Sequence, residues 1–391
     1  MKINVNSLKD IPKHIGSGLC VYGPLSSEIQ SWVEFHNLQT HKSGDFTNVV
    51  IPDDFDVENA FECSQPYEYV DGFSPNLNKH IHIGHVSNFV LAKALQKLGV
   101  GKSFIANLGD TLEGEVNKDE ALNAYYELCK TFDYKVDKVF FASQFKCPED
   151  MLTDGSGEYA GTKTFKLPEK EIVGVKSNGA TSYFYQDVAL ASELKAKTLY
   201  MTGFEQKEHF QNLKAMFNNI EHMPLGLVTV NHEKMSSRVG NVIMLSDVLE
   251  SFKQKFGDDK KLIWNVLAGY ILKSVAGSVK NIDLNQLDNV KQSHGLYLSY
   301  TLAKLKSAGI KVKEIKDFHS PLLKLKMLKA KHNLSPNVLF EALVEQAGKI
   351  SNLYEQYKIS GHPENHQFFE NLAEDLLFGM KKIGLFDIEK V

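Results

Sequence analysis

The sequence predicts an α/β protein in which a parallel sheet, interrupted by an inserted subdomain, is followed by an all-helical region. Three observations carry that prediction. Residues 67–108 read strand, loop, helix, strand. The same alternation resumes after about residue 180. From Leu245 onward one helical pattern follows another with few strand signals. Strands alternating with helices of this length form βαβ units, and βαβ units pair in parallel.

Taken in order, residues 1–65 carry breakers at Pro12, Gly16, Gly18, Gly23, Pro24, Gly44 and Pro52. Their spacing supports a short helix near Ser27–His36 and little else, so the stretch reads as a short extension packed on the next domain. YEYVDGF, from Tyr67, is aromatic and β-branched, a strand. The loop SPNLNKHIHIG follows. HVSNFVLAKALQKLG then sets apolar residues at helical spacing and stops at Gly99. KSFIANLG is a second strand. The insertion spans about 115–180. It holds a helix in VNKDEALNAYYELCKTFD, a strand in KVFFASQF, and short antiparallel strands in a remainder rich in Gly, Thr and Lys. TSYFYQDVALASELKA leads into a helix, KTLYMTG is a strand, EQKEHFQNLKAMFNN a helix, and LGLVTVN a strand that runs into HEKMSSRVGNV. Further helices are expected at Leu245–Lys255, Lys260–Ser274, Leu284–Ala308, Pro321–His332, Pro336–Tyr357 and Phe368–Ile383. The division is therefore 1–65, 66–244 with its insertion, connecting helices at 245–290, and a helical domain at 291–391.

Composition bounds the function. The chain has 391 residues, 43% of them apolar and 24% charged, with a formal net charge of −4. That excludes a mainly disordered chain, a collagen-like repeat and a disulfide mini-protein, and no strongly basic body announces nucleic acid. Arg238 is the only arginine, as an AT-rich coding sequence would leave it. Cys20, Cys63, Cys129 and Cys147 form no C-x-x-C pair, so reduced, mostly buried thiols and no metal site are expected. MKINVNSLKDIPKHIG has no apolar core behind its lysines, and no run reaches 18 apolar residues. A cytoplasmic monomer without membrane contact is the expectation.

Two motifs carry chemistry. His82-Ile83-Gly84-His85 lies where a loop turns into a helix. Free backbone N–H groups and the positive helix end suit phosphate there, Gly84 permits close approach, and two histidines can donate to phosphate oxygens. Alone, the four letters fit a pair of capping or surface histidines equally well. Lys234-Met235-Ser236-Ser237-Arg238 follows a strand and precedes Gly240. A loop of Lys, Ser and backbone N–H groups can close over the outer phosphates of a nucleotide. The pairing of the two motifs, in this order and in an α/β setting, is specific.

Together they resemble the class I aminoacyl-tRNA synthetases, with their HIGH and KMSKS-like motifs. The neighbouring residues narrow the resemblance to the arginyl-tRNA synthetase family. Ser74-Pro75-Asn76 with Lys79 before HIGH looks like that family's S-P-N-x-x-K block, and Tyr183 to Asp187 like its Y-x-x-x-D segment. Gly203 to Phe210 resembles its G-x-x-Q-x-x-H-F segment, and Tyr297-Leu298-Ser299-Tyr300 its Y-L-Q-Y. Leu353-Tyr354-Glu355 and Gly379…Ile383-Gly384 suit its later helices. The blocks occur in order over roughly residues 67–385. The resemblance implies a Rossmann-like catalytic domain followed by a helical anticodon-binding domain. It implies an ATP-dependent ligase that forms arginyl-adenylate and pyrophosphate with Mg²⁺ on the phosphates, then charges tRNA(Arg). Lys79, His82, His85 and Lys234 would be catalytic, and His82, Gly84, His85, Lys234, Met235, Ser236 and Ser237 would hold ATP. Ser74, Asn76 and His85 would line the amino-acid site. Tyr183, Asp187 and Gln206 would read the side chain, a planar fork of five donors that a carboxylate can accept two at a time. Without the family, Asp187 fits a helix N-cap before VALASELKA equally well.

Four departures stand out. Asp71 occupies the place of the family's glutamate that holds the substrate ammonium, one methylene shorter. Ser237 replaces the second lysine of K-M-S-K, a loss for which Lys79 is expected to compensate. The family's tRNA-elbow domain has only 65 unmatched residues in its place. The insertion and the helical domain are short. In the helical part, Tyr297 and Tyr300 are candidates for stacking on anticodon bases, and Lys304, Lys306, Lys311, Lys313, Lys316, Lys324, Lys326, Lys329 and Lys331 for tracking phosphates. Two other readings compete. One is a synthetase-derived enzyme that activates an amino acid for a non-tRNA acceptor, and the other a regulatory paralogue without turnover. A simple nucleotidyltransferase shares H-x-G-H but fits K-M-S-S-R and the helical region poorly.

Overall fold

The computed structural model describes residues 1–10, 19–63, 66–111, 116–233, 243–357 and 363–390. The N-terminal stretch is a folded module. It comprises β1 (Ile3–Asn4), β2 (Lys9–Asp10), β3 (Leu19–Tyr22), α1 (Ser27–Phe35), β4 (Thr40–Ser43), β5 (Phe46–Val49), α2 (Val57–Ala60) and β6 (Phe61–Glu62). Strands β2-β3-β5-β4 form an antiparallel sheet, and β1 pairs in parallel with β6. Ser26 caps α1 by accepting the Ile29 N–H. Trp32 is fully buried among Val5, Leu8, Leu19 and Phe61, and its indole N–H donates to the Ala60 carbonyl at 2.9 Å. The expectation of one short helix and little else for residues 1–65 is therefore corrected. The strands are two to four residues long, too short for a period-2 pattern to declare itself. Gly44, at φ +58°, is the turn of the β4–β5 hairpin rather than a loop breaker.

The central sheet comprises β7 (Tyr67–Asp71), β8 (Gly101–Leu108), β9 (Lys138–Phe141), β13 (Thr198–Gly203) and β14 (Ile220–Leu225). Its order is β14-β13-β7-β8-β9, every pair parallel. The helices are α3 (Val86–Lys97) between β7 and β8, α4 (Lys118–Thr131) between β8 and β9, α5 (Tyr183–Leu194) before β13, and α6 (Lys207–Met216) between β13 and β14. The insertion contributes the antiparallel strands β10 (Thr153–Asp154), β11 (Lys163–Lys166) and β12 (Glu171–Val175). Alternation along β13 separates two cores. Leu199 and Met201 join the core under α3 and α4, whereas Tyr200 joins Phe184, Val188, Phe210 and Leu213 under α5 and α6. From β7 the order runs outward one way through β8 and β9 and the other way through β13 and β14. The reversal between β7 and β13 opens a crevice at their carboxyl ends, where open α/β sheets bind ligands.

The sequence pattern signals a single strand in LGLVTVN, and β14 is a further strand that it does not signal. The residues of β14, IEHMPL, include a proline, tolerated because β14 is an edge strand that pairs only with β13. After it come β15 (Val228–Val230), α7 (Leu245–Phe256), α8 (Lys260–Leu272), β16 (Lys280–Ile282), which pairs in parallel with β15, α9 (His294–Ser307), α10 (Pro321–His332), α11 (Asn337–Tyr357) and α12 (His366–Lys382). The expected helix Leu284–Ala308 is split, with one short turn at 284–286 and α9 starting only at His294. Asp283 and Asn289 accept the N–H groups of Asn285 and Lys291, which turns the chain instead of extending the helix.

The helical region shares the core of the sheet. Every residue of α8 from Leu262 to Leu272 is buried. Trp264 meets Phe132 and Phe89 at 4.8 and 5.1 Å between ring centres, and its N–H donates to the Gly384 carbonyl at 2.8 Å. A Cβ on Gly295 would collide with the Asn265 backbone, so α9 crosses α8 with the two backbones touching at that residue.

Candidate active site

The HIGH residues form a short turn, 83–85, at the head of α3. His82 Nδ1 accepts the Gly84 N–H at 3.1 Å, and His85 Nδ1 accepts the His82 N–H at 3.2 Å. The rings lie 4.0 Å apart. The capping reading of this pair is thus correct at Nδ1, and it favours the phosphate reading at the other nitrogen. A neutral imidazole that accepts at Nδ1 carries its proton on Nε2. Burial lowers the His82 pKa, with the Lys79 charge adding to it, and takes His85 down to about 3. Both rings are neutral donors at pH 7. Asn88, one turn further along α3, donates to the Met201 carbonyl at 2.6 Å and so ties the helix to β13. The Ile83 N–H donates to the Ile243 carbonyl at 3.0 Å, and the Leu245 N–H to the Ile81 carbonyl at 3.2 Å. The chain that follows the K-M-S-S-R segment is therefore bonded to the HIGH backbone. Lys234, Met235, Ser236 and Ser237 themselves lie outside the described residues.

Asp71 ends β7 and is 7% exposed. Ser74 Oγ donates to its Oδ1, and Ser74 in turn accepts the Asn107 N–H at 3.0 Å. Burial pushes the Asp71 carboxyl up to about 7; the Ser74 hydrogen bond opposes that rise and the charge of Asp187 adds to it. Asp187 lies one helical turn past Tyr183 on α5. The cap of that helix is Ser182, which accepts the Tyr185 N–H, so the N-cap alternative for Asp187 is excluded. Asp187 Oδ2 is 2.6 Å from His209 Nε2. Tyr183 and Gln206 are exposed, at the start of α5 and in the turn after β13. Asn76 takes up the space where Gly109 lacks a side chain; a Cβ there would meet its Oδ1. Lys79 is exposed in the loop before HIGH.

Of the residues singled out by the sequence, Asp71 ends β7, Ser74 bonds to it, Gln206 lies in the turn that follows β13, and Asp187 on α5 acts on Asp71 through its charge. Sequence patterns alone give no role to Tyr200, His209, His222 or Asn107. His222 Nε2 is 2.9 Å from Thr202 Oγ1, its ring stacks on Phe210 at 4.6 Å, and burial lowers its pKa to about 4. For Asn107, Tyr200 and His222 the signal in the sequence is a polar residue in a strand, whereas His209 on α6 is the histidine of the G-x-x-Q-x-x-H-F segment. Among the described residues no group of three or more His, Cys, Asp or Glu could hold a metal, and the four cysteines are free.

On the helical domain, Tyr297 hydrogen-bonds Ser351 at 3.1 Å, whereas Tyr300 is 43% exposed. Four lysines assigned to RNA have carboxylate or carbonyl partners. Lys326 pairs with Asp10, Lys329 donates to the Leu8 carbonyl at 2.8 Å, and Lys324 pairs with Asp317. These hold the N-terminal module and the loop before α10. Lys306 is engaged by Asp387 and Glu389.

A parallel sheet with a histidine pair at its switch point is thus fused through one core to a helical domain. No protein-family model matches the chain. Curated relatives do. It is 35% identical over 160 residues to the arginine–tRNA ligase of Leuconostoc mesenteroides, 34% of this chain and 28% of that one. It is 26% identical over 300 residues to that of Limosilactobacillus reuteri, 63% of this chain and 52% of that one. The chain spans about half the length, or less, of these relatives. In fold it is similar to the arginyl-tRNA synthetase of Thermus thermophilus, with a TM-score of 0.66 at 14% identity over 98% of this chain and 96% of that one. The Plasmodium falciparum arginyl-tRNA synthetase gives 0.62 at 16% identity over 90% and 86%. The chain is a relative of the arginyl-tRNA synthetases and has their fold. No helix among the described residues is long and apolar enough to cross a membrane.

Proposed function

We propose that this protein is an arginine–tRNA ligase, which activates arginine with ATP and transfers it to the 3′ end of tRNA(Arg). The observation that carries the proposal is a pair of carboxylates beside the HIGH turn. Burial is the main cause of the raised pKa of Asp71, and the charge of Asp187 adds to it, so a negative charge at Asp71 is costly without a cationic partner. A ligand with two cationic ends relieves that cost. Free arginine has an ammonium and a guanidinium, in keeping with Asp71 for the first and Asp187, Tyr183 and Gln206 for the second. His82 and His85 then offer Nε2–H to phosphate oxygens without carrying charge of their own. As they are already fixed by backbone N–H groups, little reorganisation accompanies the reaction. Lys79, exposed in the loop before them, adds a positive charge that acts on both histidines. Mg²⁺, bound through the phosphates, would offset their charge. We assign the division at residues 66–244, 245–290 and 291–391 to catalysis, connection and tRNA. A folded N-terminal module docked on α10, where the family carries its tRNA-elbow domain, favours tRNA over a non-tRNA acceptor.

The test is aminoacylation of total tRNA with each labelled amino acid. Incorporation of arginine alone, into a tRNA fraction that an arginine isoacceptor probe identifies, is the expected result. Activation of another amino acid, or arginine activation with no transfer to any tRNA, rejects the proposal.

A further inference from the structure

Register sets three polar side chains in one row across the sheet. Asp71 of β7, Tyr200 of β13 and His222 of β14 are direct cross-strand partners, so their side chains share a face. That face is the one covered by α5 and α6, from which Asp187 and His209 approach. Two members of the row are satisfied, Asp71 by Ser74 and His222 by Thr202. Tyr200, between them, is 1% exposed, and its hydroxyl has no hydrogen-bond partner among the described residues. Burial raises its pKa well above the ordinary phenol value, and the charges of Asp187 and then Asp71 add to the rise. On the same face, two positions beyond Asp71's partner Ile105, Asn107 Oδ1 is a second buried atom without a partner. Unsatisfied buried polar groups are rare in native proteins and call for an explanation. Here Tyr200 stands level with Asp71, the carboxyl end of β7, and Asn107 lies next to the carboxyl end of the neighbouring β8.

Resting on the arginine reading of the site, we propose that Tyr200 is a specificity-determining residue whose hydroxyl accepts an N–H of the substrate guanidinium while donating its proton to a neighbouring carboxylate. The stoichiometry favours this. A guanidinium has five donors, and the Asp187 carboxylate already gives part of its capacity to His209. A phenol within the influence of both carboxylates adds an acceptor for the cation without adding a third negative charge. Lysine's ammonium, on a differently shaped side chain, does not present the same planar fork. The neutral ureido group of citrulline turns an acceptor toward the carboxylates.

The experiment uses the full chain and Tyr200→Phe, which removes one oxygen and keeps the ring against Phe210. Arginine, lysine and citrulline binding are measured by calorimetry, and the ligand-free melting temperature is measured beside them. The expected result is about a tenfold rise in Kd for arginine, the scale of one hydrogen bond to a charged group, a narrowed preference for arginine over lysine, and a free-protein melting temperature that is unchanged or higher. A hydroxyl with only a structural role gives the opposite melting result. Arginine affinity within about twofold of wild type, or a loss of several degrees in the free protein, overturns the inference while leaving the arginine reading intact. A wild-type protein that binds no arginine overturns that reading, and the inference with it.

Discussion

Asp71 shows most directly how this site trades stability for binding. Its folded pKa of about 7 stands above the ordinary 3.8, so the native state favours the protonated form. The corresponding stability is complete below about pH 4 and is lost as pH rises through about 7. Asp71→Asn lacks that loss. Its gain in melting temperature over wild type should therefore grow between about pH 4 and pH 7 and level off above, in melts run across that range. On the proposed reading arginine's ammonium pairs with the ionised carboxylate, so wild-type affinity should rise with pH and level off above about 7, and calorimetry on Asp71→Asn should show weak binding with little of this dependence. A second expectation concerns the loop before HIGH. Lys79 already influences both histidines through its charge. Lys79→Ala should slow adenylate formation by on the order of 10²-fold, as removal of one transition-state donor does, and adding Ser237→Lys should restore part of it. A near-normal rate would assign the missing charge to another group.

At the scale of elements, the glycine that follows β8 leaves room for Asn76, a residue of the proposed amino-acid site. A Cβ at Gly109 would strike the amide end of Asn76, a movable group rather than backbone. Gly109→Ala should consequently leave the melting temperature nearly unchanged and raise the KM for arginine several-fold. A large stability loss with an unchanged KM would show that Asn76 does not face the substrate. The same elements show what is legible in the sequence. The strand–HIGH–helix unit can be read because the H-x-G-H turn is followed, in an α/β setting, by the K-M-S-S-R segment. Asp187 needs a spatial partner, His209, which is 22 residues away in sequence, so composition alone leaves it a candidate cap. Strand β14 is hidden by Pro224, and with it His222. Tyr200 reads as one more aromatic in a strand until register places it beside Asp71. The N-terminal strands are too short for periodicity, and their stability comes from Trp32 and from α10, which no local pattern reveals.

Over the whole molecule, two kinds of lysine follow from how the parts are joined. Lys326 and Lys329 on α10 are committed to Asp10 and the Leu8 carbonyl, which fasten the N-terminal module to the helical domain. Lys311, Lys313 and Lys316, in the segment before α10, remain exposed. Every lysine–phosphate pairing that a mutation removes reduces the dependence of RNA affinity on salt by nearly one unit on a log–log plot. Lys311→Ala or Lys316→Ala should therefore shallow the salt dependence of tRNA binding if the helical domain tracks the backbone. Lys329→Met should leave that slope unchanged and instead make residues 1–62 easier to cleave by protease. The tyrosines divide in the same way. Tyr297 is committed to Ser351 between α9 and α11, so Tyr297→Phe should cost about 1 kcal/mol of stability, the net worth of one hydrogen bond, with little effect on the KM for tRNA. Tyr300 is open to solvent on the same helix. One stacked base is worth about 1–3 kcal/mol, so Tyr300→Ala should raise that KM by roughly tenfold and leave the KM for arginine unaffected. Parallel titrations of these variants at several salt concentrations separate the effects. If Tyr300→Ala is silent while Lys329→Met cripples charging, the N-terminal module rather than α9 supplies the principal grip on tRNA.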